Sequence, residues 1–412
     1  MSQPSTRRRP SRKLVLIALL AAALGAGCAS QRESIGYYWQ SVTGHLDVMQ
    51  RAEPVEHWIE APDTPAALRD RLRQTRTMRD FAVSELALPD NDSYRRYADL
   101  QRRAAVWNVV AAPELSLELH RWCFPVVGCV GYKGYYDEAR ANQFAESLPD
   151  ELEVTVYPVP AYSTLGWTNW LGGDPLLNTF VGYPEGELAK LMFHELAHQV
   201  VYAKGDTVFN ESFATTVERL GGERWLEAHG SEKSRQDVAA LAQRRSQFKR
   251  LTLDVRGCLE QVYTQPGKSD AEKREAKAEI MNWFHQAYET QKAQWGGYKG
   301  YDGWVKRANN ASFGAQAAYD RWVPALTALF HQSGDNFPRF YEAVRELASL
   351  DPEARLARLT ALTPAKITAS IASQPPAEAP SQEPHVENSH PSPAPPGVCR
   401  RPEGGLEMGR AS

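Results

Sequence analysis

Strong charge of either sign is missing from this 412-residue chain, in which 47 Lys and Arg face 50 Asp and Glu for a formal net charge of -3. Without a basic excess, nucleic acid is not the expected partner. Long hydrophobic runs are missing too: the apolar stretch Leu14 to Leu24 falls short of the roughly 20 residues that span a bilayer. Cysteine is scarce, with five in the chain, so stability rests on the core that 42% hydrophobic residues can build. Past Pro364, large apolar side chains almost vanish from a Pro-, Ala-, Ser- and Glu-rich sequence, so residues 364–412 are expected to form a disordered tail. His385 and His390 within it are too sparse to form a metal site.

The N-terminus reads as an export signal. Arg7, Arg8, Arg9, Arg12 and Lys13 precede the apolar run, which meets Gly25-Ala26-Gly27-Cys28. Removing residues 1–27 deletes five positive charges and no negative ones, taking the net charge from -3 to -3 - 5 = -8. A cysteine directly after small residues resembles a bacterial lipoprotein signal, which implies that Cys28 is lipidated. The protein would then be anchored in the bacterial cell envelope, facing the periplasm, on the outer membrane. Leu24 stands one place further from Cys28 than the usual pattern has it, and cleavage that leaves Cys28 free is the alternative. In an oxidising compartment Cys123 and Cys129, within WCFPVVGCVGY, are expected to pair, against the alternative of buried thiols. The pairing of Cys258 and Cys399 stays open.

Residues 28–363 are expected to form one domain of α+β class, predominantly helical. Residues 28–120 read as a helical N-terminal layer on the three-to-four-residue spacing seen in Ala66–Leu86. Its aromatic start, Gly36-Tyr37-Tyr38-Trp39, is expected to pack into the core. Residues 121–183 carry Gly, Pro and aromatics around the alternating stretch Leu152–Tyr157, which predicts a small sheet with a second strand over Tyr162–Trp167. Residues 184–221 read as a helix pair and 231–363 as a helical C-terminal part. The latter opens on a hairpin over 231–295 broken near Pro266-Gly267, its charges a solvated face, and adds helices near Asn309–His331 and Phe337–Leu350.

The chemistry concentrates in LMFHELAHQVVYAKGDTVFNESFATTVE, residues 191–218. Pro184 and Glu185 start a helix that Lys204-Gly205 should end. Leu188, Met192, Leu196 and Val200 make one apolar ridge, and His194 and His198 lie roughly 200° around from it. Imidazoles four residues apart can meet one ion, while Glu195, offset from them, can hold a water beside it. A third ligand is offered by Glu211 or Glu218, two turns apart on one side of a second helix, Asn210–Gly221.

HELAHQ followed by NESFATTVE resembles the zinc motif of aminopeptidase N-type peptidases, HELAHQ then NEGFAxxxE. The ordered chain, from GYYWQ through CFPVVGCVGYKGYY and AYSTLGW to RANNA, is similar to a bacterial family of lipoprotein aminopeptidases. The resemblance implies a zincin-like metallopeptidase fold, one Zn2+ on His194, His198 and Glu211, and Glu195 as general base and proton carrier. It makes Glu218 a carboxylate that orients a ligand histidine. Twelve residues separate His198 from Glu211, against eighteen in aminopeptidase N and nineteen up to Glu218 here. Glu211 is preferred because its Asn-Glu-x-x-Ala setting fixes helix phase, whereas loops change length easily.

The stretch AYSTLGWTNW, where aminopeptidase N carries an amine-binding glutamate, contains no acid. Asp174 is a substitute, and Tyr162 and Ser163 are candidates to pair with substrate backbone. Tyr319 is the first candidate for the oxyanion donor, with Tyr298 and Tyr301 behind it, and Asn309-Asn310 reads as a helix cap. The expected function is zinc-dependent hydrolysis of peptides, as an aminopeptidase with endopeptidase action open. The alternative is a non-catalytic envelope lipoprotein braced by zinc that binds a partner.

Overall fold

A computed structural model describes residues 36–124, 128–161, 173–316, 321–363 and 399. The chain divides into two units, Met1–Gln50 and Arg51–Ser412. In the first, helix α1 covers residues 36–51, all but its last residue within the unit. The expectation that its aromatic start packs into the core is wrong for Trp39, which is 69% exposed. The N-terminal residues before 36, Cys28 included, lie outside the described residues, as do 364–398 and their two histidines.

The second unit opens with strand β1 (Glu53–Pro54) and helices α2 (Val55–Glu60) and α3 (Ala66–Ser84). Strands then interrupt the segment expected to be helical: β2 (Arg96–Ala98) and β3 (Val106–Pro113). The sequence VWNVVAAP misleads because β3 is buried on both faces from Val109 to Ala112, so no polar residue marks the strand period there. A hairpin of β4 (Trp122–Phe124) and β5 (Gly128–Val130) sets Cys123 opposite Cys129, and the two are joined. Strand β6 (Lys133–Tyr135), helix α4 (Glu138–Glu146) and strand β7 (Leu152–Val159) follow.

The main sheet runs β6-β3-β7, antiparallel throughout, with Val106 opposite Val159 and Pro113 opposite Leu152. A second sheet places β2 between β1 and β8 (Leu176–Leu177). The strand expected over Tyr162–Trp167 lies outside the described residues.

Helices α5 (Glu185–Ala197) and α6 (Thr207–His229) pack against each other and against α3. Their close approach depends on Gly221, where a Cβ would lie 2.7 Å from Leu86 and 3.2 Å from Phe193. The expected hairpin is formed by α7 (Glu232–Thr264) and α8 (Asp270–Gln294). Ser269 and Glu272 cap the start of α8 reciprocally, which the sequence Ser-x-x-Glu encodes. Its interior is aromatic: Phe248, Phe284, Trp304 and Phe313 meet edge to face, and Tyr301 stacks on Phe248 with ring centres 4.1 Å apart.

The chain ends its described run with α9 (Asp302–Lys306), α10 (Asn310–Ala315), α11 (Val323–Gln332), α12 (Phe337–Ser349) and α13 (Pro352–Leu362). Helix α13 goes beyond the expected set, although Asp351-Pro352-Glu353 spells its start, with Asp351 accepting from Ala354 N. Asn309 is indeed the cap of α10, accepting from Ser312 N. Cys399 is joined to Cys258 of α7, which settles the pairing left open.

Candidate metal centre

Helix α5 forms for local reasons: Pro184 precedes it, Glu185 and Glu187 occupy its positive end, and Leu188, Met192, Phe193 and Leu196 are buried. It stops seven residues before the expected Lys204, at Ala197, with His198 as its C-cap. The turn tightens there, with Gln199 N donating to Leu196 O and Val200 N to Ala197 O, so Val200 leaves the ridge. Two forces end the helix. Val200 and Val201 are β-branched, and the backbone of Ala203 is held from the next helix: its N donates to Asn210 Oδ1 at 2.8 Å and its O accepts from Asn210 Nδ2 at 2.9 Å. Helix α6 accordingly starts earlier than expected, capped by Asp206, which accepts from Phe209 N. It also runs on to His229, past Gly221.

These supports bring three donors together. His194 Nε2 lies 3.4 Å and His198 Nε2 3.7 Å from the same oxygen, Oε2 of Glu211. The imidazoles are nearly perpendicular, at 83°, with centres 4.9 Å apart. The donor atoms of His194, His198 and Glu211 all lie within 4.8 Å of one another. Ligands about 2.0–2.1 Å from a tetrahedral ion stand about 3.3–3.4 Å apart, so the two measured spacings are close to edges of such a site and long for hydrogen bonds. His194, His198 and Glu211 can therefore hold one metal ion.

Glu218, one of the two candidates for third ligand, has a different place. Its Oε2 lies 3.0 Å from Nδ1 of His194, on the far side of the ring from the donor set. With Nδ1–H donating to that carboxylate, Nε2 is the nitrogen that faces Glu211 and can take an ion once its own proton is lost. Nδ1 of His198 is buried without a hydrogen-bond partner among the described residues.

The charges are strongly coupled. Burial opposes a charged His194, but Glu211, Glu218 and Glu195 outweigh it and push the imidazole up to about 10. Burial and the neighbouring His194 hold His198 down to about 4. Burial works to raise the Glu211 carboxyl, yet the two imidazoles prevail and lower it. Glu195 is pushed up to about 7, chiefly by burial, with Glu211, Asp174 and Glu218 adding to the rise against His194. Among the described residues none hydrogen-bonds the Glu195 carboxylate.

A family model described as "Putative aminopeptidase" matches residues 36–359, most of the chain. The chain belongs to that family. No curated protein and no solved structure gives a significant match.

Family membership leaves the residues around the donor set to be read from the structure, and several carry no motif of their own. Gln199, directly after His198, donates from Nε2 to Ser93 Oγ at 3.1 Å and accepts from Asn91 Nδ2 at 2.7 Å. Arg79, 1% exposed, holds that loop by donating to Ser93 O and Asn91 O. Ser93 Oγ also receives Asp174 N at 3.3 Å. Gly173 permits this approach, having φ +67° and space that a Cβ would fill at 2.5 Å from Ser93 N. The final Gln of HELAHQ was the available signal; nothing in the sequence pointed to Arg79, Asn91 or Ser93.

Of the remaining candidates, Tyr162, Ser163 and Tyr319 lie outside the described residues. Tyr301 is engaged with Phe248, and the ring of Tyr298 lies under the Arg244 guanidinium, 4.7 Å from its centre. Asn310 is structural, donating to Pro113 O and Glu114 O and accepting from Tyr263.

Proposed function

We propose that this protein is a zinc-dependent peptidase that hydrolyses peptide bonds, acting as an aminopeptidase in keeping with its family. The observation that carries the reading is the convergence of two imidazole nitrogens on one Glu211 oxygen at 3.4 and 3.7 Å. Two histidines and one carboxylate are a three-ligand set of the kind that catalytic zinc uses, with a coordination place left for the reaction. When bound, the ion supplies Lewis-acid polarisation of the scissile carbonyl and makes water near it more acidic.

The chain's own residues do the rest. Glu195 takes the proton from the attacking water and delivers it to the departing amine. Glu218 keeps the His194 proton on Nδ1, while Asn210 and Gln199 hold the turn that carries His198. Asp174, 4% exposed and close enough to raise the Glu195 carboxyl, is the acid offered to a substrate's free amino group. The zincin-like fold class remains part of the same proposal, supported by the helix pair that presents the donors.

Metal content and peptide hydrolysis, measured for the parent and for Glu195→Gln, test the reading. Zinc is retained in the variant and turnover falls by about 10²–10⁴-fold. A parent with stoichiometric zinc that cleaves nothing in a broad peptide library would hand the case to a non-catalytic, metal-braced binding protein. Comparing free with acetylated amino termini separates aminopeptidase from endopeptidase action.

A further inference from the structure

Four of the large apolar side chains that the protein leaves exposed fall within nine residues of α1: Tyr38 at 37%, Trp39 at 69%, Val42 at 55% and Leu46 at 43%. At about 100° per residue, Trp39, Val42, Thr43, Leu46 and Gln50 share one face about 100° wide, with Tyr38 at its flank. That face carries no charged residue, while Val48 and Met49 of the same helix are buried. Soluble surfaces scatter single apolar residues; a contiguous stripe headed by an exposed Trp marks a contact.

From this stripe we infer that α1 lies flat on a lipid bilayer, with Trp39, Val42 and Leu46 entering the boundary between headgroups and acyl chains. Three observations select lipid as the occupant. Cys28, the residue the export signal offers for lipidation, is separated from Gly36 by seven residues, which span at most about 25 Å. A lipid on Cys28 therefore holds the stripe within reach of the membrane, and the inference rests on that export reading. Trp and Tyr at one end of an apolar face suit the interface, where a ring's apolar body and polar edge are both accommodated. No helix among the described residues is long and apolar enough to cross a membrane, so α1 can lie on the bilayer but not through it. The metal centre plays no part in this inference.

The test uses the chain from residue 28 onward with Cys28→Ser, so that no acyl chain can attach, and vesicles of phosphatidylethanolamine and phosphatidylglycerol. Co-flotation with vesicles is expected, insensitive to added salt because the exposed face is uncharged. Trp39→Ser/Val42→Ser/Leu46→Ser lowers the partition by about tenfold or more at unchanged circular dichroism. Trp39→Ala alone, at the most exposed position, gives a smaller loss in the same direction and covers the case in which the triple variant misfolds. Absence of the parent from the floated fraction, or equal partition of parent and Trp39→Ala, overturns the inference. So does a parent dimer in sedimentation that the same substitutions dissolve, because the stripe would then be a protein interface.

Discussion

Removing Glu218 and removing Glu211 should weaken metal binding to different extents, and the difference separates a ligand from the group that orients one. Glu218 touches the site through a single contact, Oε2 to His194 Nδ1 at 3.0 Å, between side chains 22% and 15% exposed. Outer partners of this kind are worth about 10–100-fold in metal affinity, or roughly 1.4–2.7 kcal/mol. Partial solvent access to Glu218 places Glu218→Gln near the lower end, since the amide oxygen still accepts from Nδ1–H, and Glu218→Ala near the upper end. Glu211 contributes an oxygen facing both imidazoles. Zinc sites bind with about 10–16 kcal/mol over four ligands, so one ligand is worth roughly 2.5–4 kcal/mol, or about two to three orders of magnitude. Competition for zinc against a chromophoric chelator measures both variants under one condition. If Glu218→Ala costs as much as Glu211→Ala or more, the assignment of Oε2 of Glu211 to the donor set is wrong. If Glu218→Ala stays within twofold of the parent, the Nδ1 contact has no influence on the metal.

Chelation should lower the melting temperature by several degrees, because an ion at a thousand times its dissociation constant adds about 4.1 kcal/mol to the folded state; differential scanning calorimetry with and without chelator decides it. Asn210→Ala removes two buried hydrogen bonds to Ala203, at 2.8 and 2.9 Å, and strands that residue's N–H and C=O. Urea melts should show a loss of about 2–4 kcal/mol. Arg355, 5% exposed, pairs with the α6 cap Asp206 at 2.7 Å and donates to the carbonyls of Leu347, Ala348 and Leu350. Arg355→Met should cost about 2–4 kcal/mol, less than a fully buried pair because Asp206 keeps some contact with water.

The sequence displayed the possible donor set of His194, His198 and Glu211 well and its supports badly, for physical reasons. Histidines at i and i+4 belong to one helix, and helical periodicity carries such a relation over any short stretch. Choosing between Glu211 and Glu218 needed the length of the α5–α6 connection, which spacing cannot supply; capture of Ala203 by Asn210 sets it. Arg79 reaches the site through a loop far along the chain from His198, mainly through that loop's backbone carbonyls, and an arginine that binds backbone leaves no sequence pattern. Strand β3 was hidden because alanines and valines buried on both faces suppress alternation. Trp39 misled in the opposite direction: aromatic character reads as core, and only solvent exposure distinguishes a side chain folded inward from one left outside.

The bond between Cys258 and Cys399, 141 positions apart in the chain, closes a ring onto helix α7, beside the aromatic interior of the hairpin. A protease that cut anywhere between Thr363 and Cys399 would sever the polypeptide without releasing its end. Such a nicked molecule would migrate as one band on a non-reducing gel and shed a short fragment only once a thiol reductant was added.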